Sequence, residues 1–164
     1  MDDRPEALLA IGGILDELGQ PVVTASSGEA ALRALMAEDY AVIILDVRLP
    51  GMDGFETAVC IKGRERTRAI PIIFLTASAD EPHQVRRSYE VGAVDYLCKP
   101  VEPNELRSKV AVFVAMHQQL TRVRMQVAAA EVEMRRVAHE LAAAVQRMQH
   151  SSDVLPIPSP RHFR

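Results

Sequence analysis

Five side chains in this sequence have the types needed to transfer a phosphoryl group to a carboxylate: Asp2, Asp3, Asp46, Thr76 and Lys99. Asp46 ends an apolar run, and open α/β sheets bind their ligands beyond the carboxyl ends of strands. A carboxylate that attacks a phosphoryl group brings like charges together, so nearby cations must offset the repulsion. Clustered acidic oxygens suit Mg²⁺, which bridges to phosphate oxygens. Lys99 supplies a second cation, and Thr76 at another strand end supplies a hydroxyl donor.

The elements that must position these residues are predicted from four apolar runs and the helical segments between them. The runs are rich in β-branched and aliphatic residues, as expected for strands buried on both faces. They cover residues 20–25, 41–46, 70–76 and 93–97. Capping patterns predict helices after Ser26 with Glu29, after Asp53, and from Asp80 to a stop at Gly92. The alternation predicts a parallel sheet with helices on both faces.

The start of the chain lacks a strand that this fold class requires. Residues 2–6 have the pattern of a helix cap and first turn, and apolar residues follow at helical spacing through Leu18. A doubly wound domain would place a strand in front of this helix. Without it, the strands at 20–25 and 41–46 would each lose a neighbour, so we expect marginal stability. We also expect either that a segment precedes Met1 or that the sequence is a fragment.

The last third of the chain has a different pattern. Helical spacing runs from Pro103 to about Gln149, and from Met116 a spacing of four and three residues selects ten apolar positions. They are Met116, Leu120, Val123, Val127, Ala130, Met134, Val137, Leu141, Ala144 and Met148. A sustained period of 3.5 residues is typical of a coiled-coil seam. We predict a parallel homodimer through residues 116–148 and a disordered, proline-containing tail at 151–164.

Composition excludes several classes of protein. Apolar residues make up 48% of the chain, enough for a core, and the net charge of −3 argues against broad binding to a phosphate backbone. With no Trp, four Phe and three Tyr, a stacking platform for nucleic acid is not expected. Cys60 and Cys98 are predicted to be free thiols in a reducing compartment. No membrane span or signal peptide is predicted, so we expect a cytoplasmic location.

Four motifs in order make the sequence resemble the response-regulator receiver family of two-component signalling. They are DDRPE at 2–6, LDVRLPGMDG at 45–54, FLTA at 74–77 and YLCKP at 96–100. The resemblance covers residue 2 to about residue 112 and implies a flavodoxin-like α/β fold. It divides the chain into a receiver domain at 1–112, a helical coiled-coil extension at 113–150 and the tail at 151–164.

The resemblance also implies a role for each motif residue. Asp46 is the phosphoacceptor, and Asp2, Asp3, Asp46 and the backbone carbonyl of Arg48 are the ligands of Mg²⁺. The phosphate is held by Thr76, Lys99 and the backbone amide of Ala77, and Tyr96 is the aromatic residue that changes rotamer on activation. A Lys99–Pro100 peptide bond in cis is also implied, in agreement with the behaviour of proline.

Three features depart from the family pattern or compete with it. The first strand is absent, which leaves open the interpretation of Asp2 and Asp3 as mere helix caps. Leu49 replaces the more usual Met before Pro50, a change that conserves volume. His139 with the following Glu and Leu resembles the phosphorylated motif of histidine-kinase helices. The residues after it do not fit, and no nucleotide-binding segment follows, so a solvated helix flank is the better interpretation.

The predicted function is acceptance of a phosphoryl group on Asp46, with Mg²⁺, from a sensor histidine kinase or phosphotransfer protein. A receiver catalyses its own phosphorylation and hydrolysis, and no separate enzymatic domain is seen. One alternative is a non-phosphorylated pseudo-receiver that acts only in dimerisation. The other is a fragment of a hybrid histidine kinase.

Overall fold

Three parallel strands form the centre of the computed structural model, which describes residues 1–77, 86–87 and 89–152, with side chains to Gln149. They are β1 (Ile43–Asp46), β2 (Ile72–Thr76) and β3 (Asp95–Cys98), and they lie side by side in that order. All five residues of β2 are buried, as expected for an apolar run covered on both faces. The predicted parallel α/β arrangement is therefore confirmed.

The register of the sheet brings the ends of its strands to one edge. Asp46 pairs with Leu75, and Thr76 pairs with Cys98. Lys99 follows directly, and its backbone N–H donates to the carbonyl of Thr76 at 2.7 Å. The predicted phosphoacceptor, hydroxyl and cation therefore come from three adjacent strands at the same end of the sheet.

The helices of the first two-thirds of the chain are α1 (Pro5–Leu15), α2 (Gly28–Ala37) and α3 (Gly54–Lys62), and a 3₁₀ turn Asp16–Leu18 follows α1. Asp53 begins α3 with a capping box, in which its carboxylate accepts from the Glu56 amide at 2.7 Å. The cap of α2 is Ser27, whose hydroxyl accepts from the Ala30 amide at 3.2 Å. The predicted cap at Ser26 is one residue early, because only Ser27 lies within reach of that amide.

The predicted helix before β3 lies only partly within the described residues. Residues 86–87 and 89–90 are helical, and Gly92 follows with a φ of 83°, as expected for a helix stop. The predicted cap at Asp80 lies outside the described residues.

Two apolar clusters fill the two sides of the sheet. Phe74 packs with Phe55 and Ile61 of α3 on one side. Its neighbour Leu75 packs with Leu15 and Leu106 on the other. This alternation along one strand explains why the apolar runs are continuous rather than alternating.

Residues 20–25, predicted to be a strand, do not form one. Asp2 N–H donates to the carbonyl of Ala25 at 3.3 Å, but no strand of the described chain pairs along the segment. Val22 and Val23 are 40% and 51% exposed. The prediction was wrong because a strand requires a neighbour to bond its backbone groups, and among the described residues no strand lies beside this segment.

The last helix, α4 (Pro103–Ser152), is 50 residues long and begins at the proline that the sequence indicates. The chain forms two units, Met1–Gln119 and a second unit that begins at Leu120. Ser151 and Ser152, assigned to the tail by the sequence, are helical, and residues 153–164 lie outside the described residues. The predicted domain division at 112 and 150 stays a prediction. Within the described chain no helix is both long and apolar enough to cross a bilayer.

Candidate functional site

The backbone of the first two residues lies against the end of β1. The Met1 nitrogen donates to the Ile44 carbonyl at 2.7 Å, and the Asp46 N–H donates to the Met1 carbonyl at 3.0 Å. These are the two bonds that a parallel strand residue opposite Leu45 would make. They hold the next residue, Asp2, at the same sheet edge as Asp46.

Three carboxylates meet at this edge. Asp2, Asp3 and Asp46 each offer an oxygen atom within 4.8 Å of the others. Asp2 is fully buried and Asp46 is 5% exposed, whereas Asp3 is exposed. The interpretation of Asp2 and Asp3 as helix caps is not supported, because the residue that precedes α1 is Arg4 and no side chain caps this helix.

Lys99 connects the two buried carboxylates. Its Nζ lies 2.6 Å from Asp2 Oδ2 and 2.6 Å from Asp46 Oδ2. The Lys99–Pro100 peptide bond is cis, as the resemblance implies. One cation thus partly offsets two buried anions that would otherwise repel each other.

Arg4 is a site residue that the sequence analysis missed. Its backbone N–H and its Nε donate to Asp2 Oδ1 at 3.1 Å and 3.3 Å. Burial alone would raise the pKa of Asp2, but the hydrogen bonds from Lys99 and Arg4 outweigh it and hold the pKa at about 2. The hydrogen bond to Asp2 in turn raises the pKa of Arg4. The only signal in the sequence was an arginine two positions after an acidic residue.

The first residue places a further ionisable group, its α-amino group, at the site. Burial lowers the pKa of the Met1 α-amino group to about 6, although the nearby carboxylates of Asp2 and Asp46 act in the opposite direction. Desolvation therefore outweighs charge attraction at the Met1 amine, whereas hydrogen bonds outweigh desolvation at the Asp2 carboxyl.

The backbone around Asp46 fixes its side chain. The Arg48 N–H donates to Asp46 Oδ1 at 3.1 Å, so both oxygens of this carboxylate have donors. The first residue of α3, Gly54, approaches the same backbone closely, and a Cβ there would lie 2.2 Å from the Asp46 carbonyl oxygen. Only glycine allows α3 to begin this close to the phosphoacceptor candidate.

Of the remaining predicted residues, Thr76 and Ala77 lie at the end of β2, whereas Tyr96 lies away from the cleft. Thr76 is buried at the end of β2, and the exposed Ala77 follows it and lines the cleft. Tyr96 does not line the cleft. It is half-buried against the core and meets Tyr89 edge to face, with ring centroids 6.3 Å apart.

An open cleft of about 670 Å³ lies beside the clustered carboxylates and Lys99. Its charged lining comprises the three carboxylates, Lys99 and the exposed arginines Arg4 and Arg48. Carboxylate oxygens and a backbone carbonyl are the ligands that Mg²⁺ prefers, and the adjacent cations suit a phosphate. The described arrangement can therefore bring a divalent cation and a phosphoryl group to Asp46.

Comparison with known proteins gives relatives of two kinds. The chain is 35% identical over 113 residues to the sensor histidine kinase GacS of Pseudomonas protegens, covering 67% of this chain and 12% of that protein. It is 38% identical over 110 residues to the alkaline phosphatase synthesis transcriptional regulatory protein PhoP of Bacillus subtilis, covering 67% of this chain and 45% of that protein. The chain thus spans less than half the length of either relative.

Solved structures support the same comparison. A putative response regulator from Chloroflexus aurantiacus is 35% identical with a TM-score of 0.66, covering 70% of this chain and 93% of that one. The receiver domain of the sensor histidine kinase PA1611 from Pseudomonas aeruginosa, which has a magnesium ion coordinated in its active-site cleft, is 31% identical with a TM-score of 0.64. The aligned region covers 70% of this chain and 93% of the PA1611 receiver domain. These similarities confirm the flavodoxin-like receiver fold.

The response regulator receiver domain family matches residues 1–111, about two-thirds of the sequence. This range includes all four motifs and every side chain of the cleft described above. The chain therefore belongs to the response regulator receiver domain family.

Proposed function

We propose that Asp46 accepts a phosphoryl group from a phosphohistidine donor, and that this is the activity of residues 1–111. The observation that carries the proposal is the bridge from Lys99 to both Asp46 and Asp2, at 2.6 Å each, beside a third carboxylate. A nucleophilic carboxylate needs this neutralisation, because the incoming phosphoryl group is also negative.

In the proposed transfer, a carboxylate oxygen of Asp46 forms a bond to phosphorus while the bond from phosphorus to the donor histidine nitrogen breaks. The Arg48 N–H orients the acceptor carboxylate through Oδ1. Lys99 offsets the charge on the transferred oxygens, and the hydroxyl of Thr76 and the amide of Ala77 donate to them. Asp46 is 5% exposed, so most of its surface is already out of contact with water before the phosphoryl group arrives.

Asp2, Asp3, Asp46 and the Arg48 carbonyl would hold Mg²⁺, since their oxygen atoms match its preference for hard ligands. When bound, the ion would neutralise the developing charge on the phosphate oxygens. The close approach of the three carboxylates within 4.8 Å supports this assignment independently of the family. The proposal includes a switch in which Tyr96 changes its contact with Tyr89 after phosphorylation.

The test is covalent labelling with acetyl phosphate and Mg²⁺, read by intact-protein mass spectrometry. The wild type should gain one phosphoryl group, and Asp46→Asn should gain none, because the amide is not a nucleophile. Asp16→Asn alters an exposed aspartate outside the cleft and should label normally. Undiminished labelling of Asp46→Asn would contradict the assignment. Failure of the wild type to label, while it is folded, would favour the pseudo-receiver alternative.

We further propose that the chain forms a parallel homodimer through residues 116–148, and that its phosphodonor is a sensor histidine kinase or phosphotransfer protein. The support for the dimer is the exposure of the seam, whose large members from Met116 to Met148 are 46–69% exposed. Similarity to GacS supports the alternative that the chain is part of a hybrid histidine kinase. A cytoplasmic location and the absence of nucleic-acid binding stay predictions.

A further inference from the structure

The part of α4 in the second unit has an apolar patch on the face opposite the seam. We call it the outer patch; it consists of Met125, Ala128, Ala129 and Val132. These residues recur at the i, i+3, i+4 and i+7 spacing of one helix face. All four are exposed, and Met125 and Val132 are each 68% exposed. The face opposite the seam of a two-stranded coil is ordinarily polar, so the proposed dimer leaves this patch unexplained.

Arginines lie at both ends of the outer patch. Arg122 lies about one turn before it, and Arg135 and Arg136 lie about one turn after it on the same face. Arg136 pairs with Glu133 at 2.6 Å and with Glu140 at 3.6 Å. Among the described residues, neither Arg122 nor Arg135 forms an ion pair. The glutamates of the helix beyond residue 120 all flank the seam, so the outer face has no negative charge.

We propose that the outer patch binds an acidic amphipathic helix of a partner protein. The inference rests on the proposed dimer, which covers the seam and leaves this face exposed. The partner helix would place large apolar residues over the two alanines, whose small side chains allow a close approach. Its carboxylates would meet Arg122 and Arg135, which are separated by roughly 20 Å along the helix axis.

Charge and side-chain size argue against two other occupants. A second coil that packed through its own outer face would bring arginines against arginines, which is unfavourable. Helices that lie on a membrane surface have a broad apolar face of large residues with basic residues beside it. Here the patch has only two large residues, and the arginines lie on the same face.

Binding of a designed helix to the full chain tests the proposal by fluorescence anisotropy. The probe is Glu-Glu-Leu-Ala-Glu-Leu-Leu-Gln-Glu-Leu-Ala-Glu-Glu, with fluorescein at its amino end and an amidated carboxyl end. Its leucines repeat the spacing of the outer patch, and its Kd should be on the order of 100 µM. A peptide of the same composition, Glu-Glu-Leu-Ala-Leu-Glu-Gln-Leu-Glu-Leu-Ala-Glu-Glu, divides its leucines between two faces. It should bind at least about fivefold more weakly. Equal binding of the two peptides, or no binding at about 1 mM, would overturn the proposal.

Two valines provide matched variants of the apolar contact. Val132 lies in the outer patch, whereas Val145 is 40% exposed and lies outside both the patch and the ten seam positions. Val132→Gln should weaken binding about fivefold, and Met125→Gln with Val132→Gln should abolish it. Val145→Gln should leave the Kd unchanged. Equal effects of Val132→Gln and Val145→Gln would contradict binding at the patch.

Reversal of charge tests the role of the arginines. Arg122→Glu with Arg135→Glu should weaken binding at least about tenfold, whereas Arg147→Glu alters an arginine off the outer face and should not. The probe with lysine in place of every glutamate should bind this double variant more tightly than it binds the wild type. If it prefers neither form, the arginines do not contact the partner helix.

The remaining measurements separate this proposal from its alternatives. Val127→Asp with Leu141→Asp, which is expected to disrupt the dimer, should still bind the probe, because the outer patch is intact. Loss of binding in that variant alone would place the probe on the seam. Sedimentation with phosphatidylserine vesicles would assign the patch to a membrane, and a mass above that of a dimer would assign it to a second copy, if Met125→Gln with Val132→Gln abolished the effect. Either result would overturn the proposal. Light scattering of the wild type tests the dimer separately, and no readout requires phosphorylation of Asp46.

Discussion

Lys99 is the residue that most directly connects the parts of the site. Its side chain is 19% exposed and contacts the fully buried Asp2 and the 7% exposed side chain of Asp46. Removing one of these three charged side chains would leave the others buried without a partner. That costs more free energy than the contact itself contributes. The same charge is the one proposed to meet the phosphate.

Lys99→Ala should lower the initial rate of labelling by acetyl phosphate about tenfold or more, since a charge-assisted hydrogen bond is worth roughly 1.5–3 kcal/mol. Lys109→Ala is the matched control, because Lys109 pairs with Asp95 and does not line the cleft. The rates are measured at matched Mg²⁺ saturation. Equal rates in the two variants would argue against a role for Lys99 in holding the phosphate.

The pKa of Asp2 predicts a dependence of stability on pH. Its pKa is held at about 2 in the folded chain and has an ordinary value of 3.8, so the unfolded chain takes up a proton first as the pH falls. The stabilisation is present above about pH 4 and is lost as the pH falls toward 2. We expect a loss of about 1–2 kcal/mol, allowing for screening by solvent.

Urea denaturation at pH 6, 4 and 3 measures this effect as the difference between the wild type and Asp2→Asn. The difference in the free energy of unfolding should shrink as the pH falls. A parallel series with Asp16→Asn provides the baseline for other carboxylates. A difference that stays constant over this range would contradict the proposed pairing of Asp2 with Lys99 and Arg4.

At this scale the sequence identified Asp46 and Lys99 because each lies in a motif at a strand end. It did not identify Arg4, because its contact with Asp2 depends on how the chain turns into α1. The role of Met1 was also invisible, since it acts through backbone atoms that carry no residue-specific pattern.

The element that differs most from expectation is the 20–25 segment. Its residues have strand propensity, but propensity does not form a strand without a partner for its backbone groups. The strands β1, β2 and β3 were predicted correctly because each has a neighbour within the described sheet. The caps of α2 and α3 were predicted to within one residue, which is the usual limit of cap patterns, and the predicted cap at Asp80 lies outside the described residues.

Adding five or six apolar residues before Met1 should raise the melting temperature and the Mg²⁺ affinity together. The added strand would pair with β1 and with residues 20–25, and it would hold Asp2 in a continuous ladder. Thermal unfolding of both forms, with and without Mg²⁺, measures the two effects. If the original chain already melts cooperatively above about 55 °C and binds Mg²⁺ equally well, the strand is dispensable.

On the scale of the whole molecule, the chain combines a receiver unit with a helix that has no globular core of its own. The second unit begins at Leu120, and the large apolar residues along its part of the seam are exposed. Residues 116–148 span roughly 50 Å at 1.5 Å per residue, and helices of this length are stabilised mainly by packing. A second copy of the same helix is the partner that a 3.5-residue repeat fits.

The flanks of the seam are compatible with a parallel pair. The spacing assigns a heptad position to each residue of the helix. In a parallel pair, the positions beside the seam place Gln126 opposite Glu131 of the other copy, and Glu133 opposite Ala138. No two like charges meet in these pairs. Ala130 and Ala144 reduce the apolar area of the seam, so we expect a dissociation constant in the micromolar range, on the order of 1–10 µM.

Val127→Asp together with Leu141→Asp should convert the dimer to a monomer, because each substitution places a charge in the seam without a partner. The control is Met125→Asp with Val132→Asp, which alters two equally apolar residues, both 68% exposed, that lie off the seam. Light scattering at concentrations above the expected dissociation constant gives the mass of each form.

The orientation of the two helices is tested by Leu141→Cys, with Cys60 and Cys98 replaced by serine. Residue 141 can form a disulfide with its own counterpart only in a parallel, in-register pair, because an antiparallel arrangement separates the two. A wild-type monomer, or equal dissociation by the two double variants, would show that the seam does not mediate assembly.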